Sequence, residues 1–176
     1  ISRIMVNHNS MFGWNFYPGI DALYVIGDKL RLVSSVNWSG RIPSFTDLYY
    51  VGPTNKGNID LLPEKAISSE IGLKYKSGII SGQSAVFYLQ GRQIIDWVKY
   101  HKDSLWESSN NTEIDTWGFE MSLKFDFNSK YGKDFFIKTL NIAYTYLSAD
   151  KNSDIFISKY VLDYLRHHLN FSVTHQ

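Results

Sequence analysis

From Trp117 to Phe127 the chain alternates without a break: Trp117, Phe119, Met121, Leu123, Phe125 and Phe127 are apolar, whereas Gly118, Glu120, Ser122, Lys124 and Asp126 are not. A helix would need apolar positions at three-and-four spacing, so this period of two predicts a β-strand with one apolar and one polar face. At roughly 3.3 Å per residue and a tilt of about 40°, the stretch rises about 28 Å, close to the outward apolar band of an outer-membrane barrel. Soluble strands are typically five or six residues long. Aromatic residues stand at both ends of the apolar face, as two membrane interfaces require. The six odd positions are therefore the expected lipid-facing set. A long strand of a soluble sandwich or lipocalin-like barrel would share the alternation, and that reading stays open at this point.

The same period returns along the chain. Phe12, Trp14, Phe16, Pro18, Ile20, Ala22, Tyr24 and Ile26 form one face of a second long strand, with Pro18 expected where no ladder bond is needed. Gly27-Asp28 then offers a two-residue hairpin turn, and Leu30, Leu32, Val36 and Trp38 lead back. Further strands are predicted around Ile67 to Tyr75, Ala85 to Leu89, Leu140 to Tyr146 and Leu165 to Val173, with His167 interrupting the last apolar face. Ile1 to Ser10 reads as loop or frayed strand. Arg41 to Glu64 holds three of the four prolines and reads as a long ordered loop; Gln93 to Thr112 and Ser148 to Tyr160 read as two more. The sum is an all-β, antiparallel up-and-down meander of about seven strands joined alternately by short and long connections. Barrels of the outer membrane have short periplasmic turns and long extracellular loops, and an odd strand count suggests one segment of a larger barrel.

Composition removes competing classes. The 176 residues carry 16% aromatics with 12 Tyr and a net charge of +1, so no basic excess points to nucleic acid. Zero cysteines exclude a disulfide framework, thiol catalysis and a cysteine zinc site. No run of about 18 apolar residues can form a membrane helix. The chain starts at Ile1 without signal-peptide features, so a leader is expected to have been removed or the chain to be a piece of a longer one. No catalytic constellation is found, no cofactor is implied, and the chain is not expected to be an enzyme. Adjacent His167 and His168 point to opposite faces of a strand and cannot share a metal. Asp150-Lys151-Asn152-Ser153-Asp154 opens like a calcium loop but has Ile155 where glycine is needed and Val161 where glutamate is needed, so no metal site is assigned.

Several motifs in order then resemble the later barrel of the TonB-dependent outer-membrane receptors. Arg41-Ile42-Pro43-Ser44 leading to Leu48-Tyr49-Tyr50, Gly57-Asn58-Ile59-Asp60-Leu61-Leu62-Pro63-Glu64 and Glu70-Ile71-Gly72-Leu73-Lys74-Tyr75 are similar to that family's Arg-x-Pro-Ser/Thr, Gly-Asn-Pro-x-Leu-x-Pro-Glu and Glu-x-Gly-x-x-Tyr segments. Trp117-Gly118-Phe119-Glu120, Ala143-Tyr144-Thr145-Tyr146-Leu147 and Arg166-His167-His168-Leu169-Asn170 follow in the family's order. Ile59 and Leu62 depart from the pattern, which alters loop conformation. Loop architecture is the expected work of these motif residues: Pro43 and Pro63 stiffen the loop, Gly57 and Asn58 permit turn conformations closed to branched residues, and an inward Glu70 can meet Arg31 or Lys74.

The resemblance implies a Gram-negative outer-membrane receptor whose barrel of about 22 strands is one third covered here. Residues 1–176 would then be one partial barrel domain, without plug, TonB-binding box or closing strand. It further implies energy-coupled uptake of a scarce bulky ligand, with outer-membrane lipid around the barrel and the TonB complex engaged through the missing N-terminal part. Gly52-Pro53-Thr54-Asn55 before Gly57-Asn58 looks most like the vitamin B12 and corrinoid branch; a ferric siderophore or haem is the alternative ligand. Candidate ligand contacts in the long loops are Tyr49, Tyr50, Asn55, Asn58, Trp97, Tyr100 and Trp106, since aromatics with polar neighbours supply area and orientation together. A soluble β-sandwich binding module is the competing function.

Overall fold

A computed structural model of the chain describes residues 1–132, 135–152, 157–159 and 164–175. Its elements in order are β1 (Ser2–Asn9), β2 (Gly13–Val25), β3 (Leu30–Arg41), α1 (Phe45–Tyr49), β4 (Asn55–Lys56), β5 (Glu64–Ser77), β6 (Ile80–Lys99), β7 (Trp106–Asp126), α2 (Asn128–Tyr131), β8 (Ile137–Asn152), β9 (Ile157–Ser158) and β10 (His167–His175). The long strands lie in the order β1-β2-β3-β5-β6-β7-β8-β10, each antiparallel to the next, while β4 pairs with β7 and β9 with β6. This is the expected meander, open, with β1 and β10 as its outer edges.

Five expectations about the elements are corrected. Ile1 to Ser10 is mostly strand: β1 pairs with β2 from Ser2↔Ile20 to Asn9↔Gly13. The long strands thus number eight, and the odd count no longer speaks for a partial barrel; the open strand order does. The first hairpin closes over three residues, Gly27 to Lys29, with the Ile26 amide donating to the Leu30 carbonyl at 2.9 Å. Gly27 supplies the positive φ, 107°. Gln93 to Thr112 is chiefly strand, since β6 runs on to Lys99 and β7 begins at Trp106. β8 likewise continues to Asn152, so the third loop starts later than expected. Finally, Phe127 lies just beyond β7, at the start of α2.

Pro18 sits as chemistry requires. The Asp21 amide donates toward β1, to the Ile1 carbonyl at 2.8 Å, so the N–H that Pro18 lacks would face β3. The β2–β3 ladder ends at Gly19↔Asn37, one residue short of it.

Cα partners across a sheet share a face, so the register assigns every side chain a side. Tyr24, Leu32, Leu73, Ser84, Met121, Tyr144 and Leu169 make one row, and Ser34, Ile71, Val86, Phe119 and Tyr146 the row beside it, apolar but for the two serines. The opposite face carries Ser35, Glu70, Lys74, Gln83, Glu120 and Thr145, which border a hollow of about 720 Å³. Among the described residues nothing covers the apolar face: Tyr24 is 68% exposed and Leu169 69%. A soluble sandwich would bury that face against a second sheet. None exists among the described residues, so the sandwich reading fails.

Aromatic clusters bound the apolar face. At one end Trp117 packs on Tyr146 with ring centroids 5.1 Å apart. At the other, Phe127 stacks on Phe125 at 6.4 Å and meets Phe135 at 5.7 Å. The eleven residues from Trp117 to Phe127 cover roughly 28 Å of height at a 40° tilt, close to the thickness of a membrane barrel's apolar band. His167 does lie on this face, with Nδ1 2.8 Å from the Tyr144 hydroxyl and its ring against Tyr146.

Candidate functional site

The hydrophobic cluster of buried residues lies at the loop end of the sheet. It consists of Leu48, Leu61 and Ile95, with Phe12 packed against it, and it joins the β1–β2 turn, the 42–63 loop and β6 at one end of the meander. Sequence places the long connections at this end, and packing now fastens them together.

The loop begins with a helix too short to persist alone. Ser44 caps α1 reciprocally: its Oγ accepts from the Asp47 amide at 3.1 Å, and Asp47 Oδ2 accepts from the Ser44 amide at 2.9 Å. Arg41 then joins loop to strand. Its Nε and Nη2 reach the two oxygens of Glu64 at 2.8 and 2.7 Å, and Nη1 reaches Asp47 Oδ2 at 3.2 Å. Glu64 Oε1 also accepts from the Ile95 amide at 2.8 Å. Burial by itself would push the Asp47 carboxyl up, but hydrogen bonds from Ser44 and Arg41 hold it below the usual carboxylate range. The hydrogen bond to Glu64, ahead of the charge attraction, pushes the Arg41 guanidinium above its usual value.

Gly57 has a different task from the expected one. Its φ is not positive; a Cβ there would stand 2.8 Å from the Leu48 carbonyl carbon and 2.9 Å from the Asp47 oxygen. Glycine permits the backbones to touch, with Gly57 donating to the Tyr50 carbonyl at 2.6 Å and Asn58 to Asp47 at 2.9 Å. Asn58 Oδ1 meanwhile accepts from the Asp60 amide, so this candidate contact is tied into an Asx turn. Asn110 clamps the next stretch, accepting from the Leu62 amide at 2.7 Å and donating to its carbonyl at 2.9 Å. Glu70 is paired with neither Arg31 nor Lys74, against expectation: among the described residues the ion pairs involve other groups.

Beyond Gly91 the β6–β7 hairpin outgrows its neighbours, and two register shifts, between Gly91 and Ile94 and between Ile94 and Asp96, mark where it departs. Gln93 at the first shift has a φ of 56°. Both faces of this extension are covered. On one, Ile95 meets Leu48 and Leu61, Tyr50 stands edge-on to Trp97 at 6.3 Å, and Ser108 Oγ donates to the Asp47 carbonyl at 2.6 Å. On the other, Ser158 Oγ donates to Asp96. Pairing crosses over as well: β4 lies parallel to β7 at Asn55↔Trp106, and β9 antiparallel to β6 at Val98↔Ser158. Inside the sheet β5 neighbours β6 and β8 neighbours β7, so each loop strand reaches past its own side to the farther strand.

The seven candidates divide accordingly. Tyr50, Asn55, Trp97 and Trp106 are drawn into one cluster by the Tyr50–Trp97 ring contact and the Asn55–Trp106 pairing. Tyr49 packs on Phe45 at 4.7 Å and, like Tyr100 at the hairpin tip, is exposed. Trp97, 7% exposed, supports Tyr50 instead of offering its own face. Two residues that sequence reasoning passed over belong here. Lys99 Nζ lies 5.1 Å from the Trp106 ring centroid and Lys159 Nζ 6.0 Å from it. No periodicity flags them, because they meet only through the crossover pairing. The calcium-like stretch enters the structure only as far as Asn152; residues 153–156 lie outside those described, and among the described residues no group of three metal-ligating side chains occurs.

Comparison with known proteins gives concordant results. Residues 4–176 match the family model described as TonB dependent receptor-like, beta-barrel. Over 129 residues the chain is 26% identical to the vitamin B12 transporter BtuB of Vibrio vulnificus, which covers 71% of this chain and 20% of that protein. Among solved structures it resembles the siderophore receptor PirA from Pseudomonas aeruginosa, with a TM-score of 0.69 and 16% identity over 83% of this chain and 27% of that one. The FrpB iron transporter from Neisseria meningitidis, F3-3 variant, follows at 0.61, with 14% identity over 83% and 22%. The copper transporter OprC also scores 0.61, with 14% identity over 81% and 22%. The chain thus spans between a fifth and about a quarter of the length of these proteins, and the structural likenesses speak for the fold.

Proposed function

This chain belongs to the TonB-dependent receptor β-barrel family, and from that premise we propose that it forms a late barrel segment of a receptor for energy-coupled uptake of a corrinoid such as cobalamin. Family membership makes it part of an outer-membrane receptor and not of an enzyme. The finer reading assigns residues 1–176 to one partial barrel domain. Trp117, Phe119, Met121, Leu123 and Phe125 face acyl chains on the uncovered side of the sheet, and Phe127 caps that band at its lower rim. The loop end is extracellular. There Tyr49, Tyr50, Asn55, Tyr100 and Trp106 offer ligand contacts, with Asn58 and Trp97 holding them in place. TonB is engaged through parts of the receptor other than these residues.

The observation that carries the ligand assignment is the 26% identity to a vitamin B12 transporter over most of this chain. A ferric siderophore is the second reading, favoured by the fold-level likeness to PirA. Equilibrium binding of cyanocobalamin, ferric siderophores and haem to the full-length receptor in detergent decides between them. Saturable binding of cyanocobalamin that falls at least tenfold in a Tyr50→Ala, Trp106→Ala variant is expected. Binding of a siderophore alone overturns the corrinoid assignment, and unchanged affinity for every ligand in the variant overturns the loop assignment.

A further inference from the structure

We propose that Trp106, Lys99 and Lys159 form an anion-recognition clamp that takes the phosphate or carboxylate of the transported ligand; the proposal rests on the loop end being the ligand-facing mouth. Lys99 and Trp106 follow Val98↔Glu107 in the ladder and so share one face of the hairpin extension. Lys159 arrives from the other loop, held by its amide's bond to the Trp97 carbonyl at 2.8 Å. The two ammonium groups stand over one indole, 5.1 and 6.0 Å from its centroid, and hence within about 11 Å of each other.

Two like charges are gathered over one ring here. Among the described residues neither lysine is in an ion pair, and their amines make one hydrogen bond, from Lys99 Nζ to the Lys102 carbonyl at 3.4 Å. Glu107, next to Trp106 in β7, alternates to the opposite face with Val98. At the hairpin tip Lys102 and Asp103 carry opposite charges and leave this balance unchanged. A bound anion would relieve the repulsion between the amines, and the indole edge and Asn55, paired to Trp106, would orient what the anion is attached to.

Position selects the source of that anion. Trp106 lies eleven positions up β7 from Trp117, roughly 35 Å along the strand above the aromatic row of the apolar face. Headgroup phosphates lie near that row, so a soluble ligand is the expected occupant.

The test uses full-length receptor in detergent, with tryptophan fluorescence followed during titration with inorganic pyrophosphate at constant ionic strength. Saturable quenching is expected, weakened at least tenfold by Lys99→Gln with Lys159→Gln and restored by the corresponding arginine pair. Displacement of pyrophosphate by cyanocobalamin or an anionic ferric siderophore, but not by cobinamide, which lacks the phosphodiester, identifies the transported ligand as the source. Displacement only by lipid A vesicles, or identical titrations in wild type and the glutamine pair, overturns the proposal. Because pyrophosphate needs no knowledge of the ligand, failure of the corrinoid assignment leaves this readout decisive.

Discussion

Gly57 shows how much a single position can hold. Gly57→Ala sets a methyl group against two backbone atoms that cannot swing away, so the 47–48 and 57–58 strands of the loop must part. A cost of about 1–3 kcal/mol is expected, as for other overpacked sites. Limited proteolysis of the full-length receptor should show faster cleavage within residues 42–63 and an unchanged barrel. The Asp47 carboxylate gives the loop a pH limit. Its pKa is depressed in the folded loop, so its contribution is complete above the ordinary value of 3.8 and is lost as pH falls through the lower folded value. Cleavage of the loop by an acid-active protease should therefore rise below about pH 4, and in Asp47→Asn cleavage by a protease active at neutral pH should already exceed that of the wild type. Sequence showed that Arg41, Gly57 and Glu64 matter as motif members. It could not show that Arg41 grips Glu64 and Asp47 at once, or that Trp97 is buried, because those facts depend on loops folding onto one another.

Among the elements, β7 was fully legible from Trp117 to Asp126, since each residue there has one wet and one apolar side and the pleat prints itself on the sequence. The outer halves of β6 and β7 were not. Two register shifts break the period of two between Gly91 and Asp96, and loops cover both faces beyond them, so Ile94-Ile95-Asp96-Trp97-Val98 lacks alternation although its ladder continues. β1 escaped notice because only one neighbour pairs with it and its side chains are nearly all exposed. Where the pattern is clear it yields a sharp expectation. Met121→Lys in the full receptor should cost about 2–4 kcal/mol, the penalty for a charge at the bilayer midplane, and Ser122→Lys should cost little beside Glu120 and Lys124. Heat-modifiability of the folded barrel on gels measures the difference. A spin label at 121 should report hydrocarbon and one at 122 water; equal accessibility would remove the lipid-facing assignment.

For the whole molecule, the open strand order leaves β1 and β10 each with a free flank, and free flanks recruit other chains. Residues 1–176 expressed alone should therefore associate in detergent, whereas the full receptor should remain monodisperse; size-exclusion with light scattering distinguishes the two. The crossing of β4 and β9 over the β6–β7 extension has a mechanical consequence. Each loop is latched to the strand beyond the one nearest its root, so both latches hang on the same β6–β7 hairpin, and a motion of that hairpin strains the two together. Their opening is then a single concerted event with one rate. In exchange with deuterium, the amides of Gly57, Trp106 and Lys159 should gain mass together, and loosening one latch by Gly57→Ala should quicken the other, some forty residues or more away in sequence.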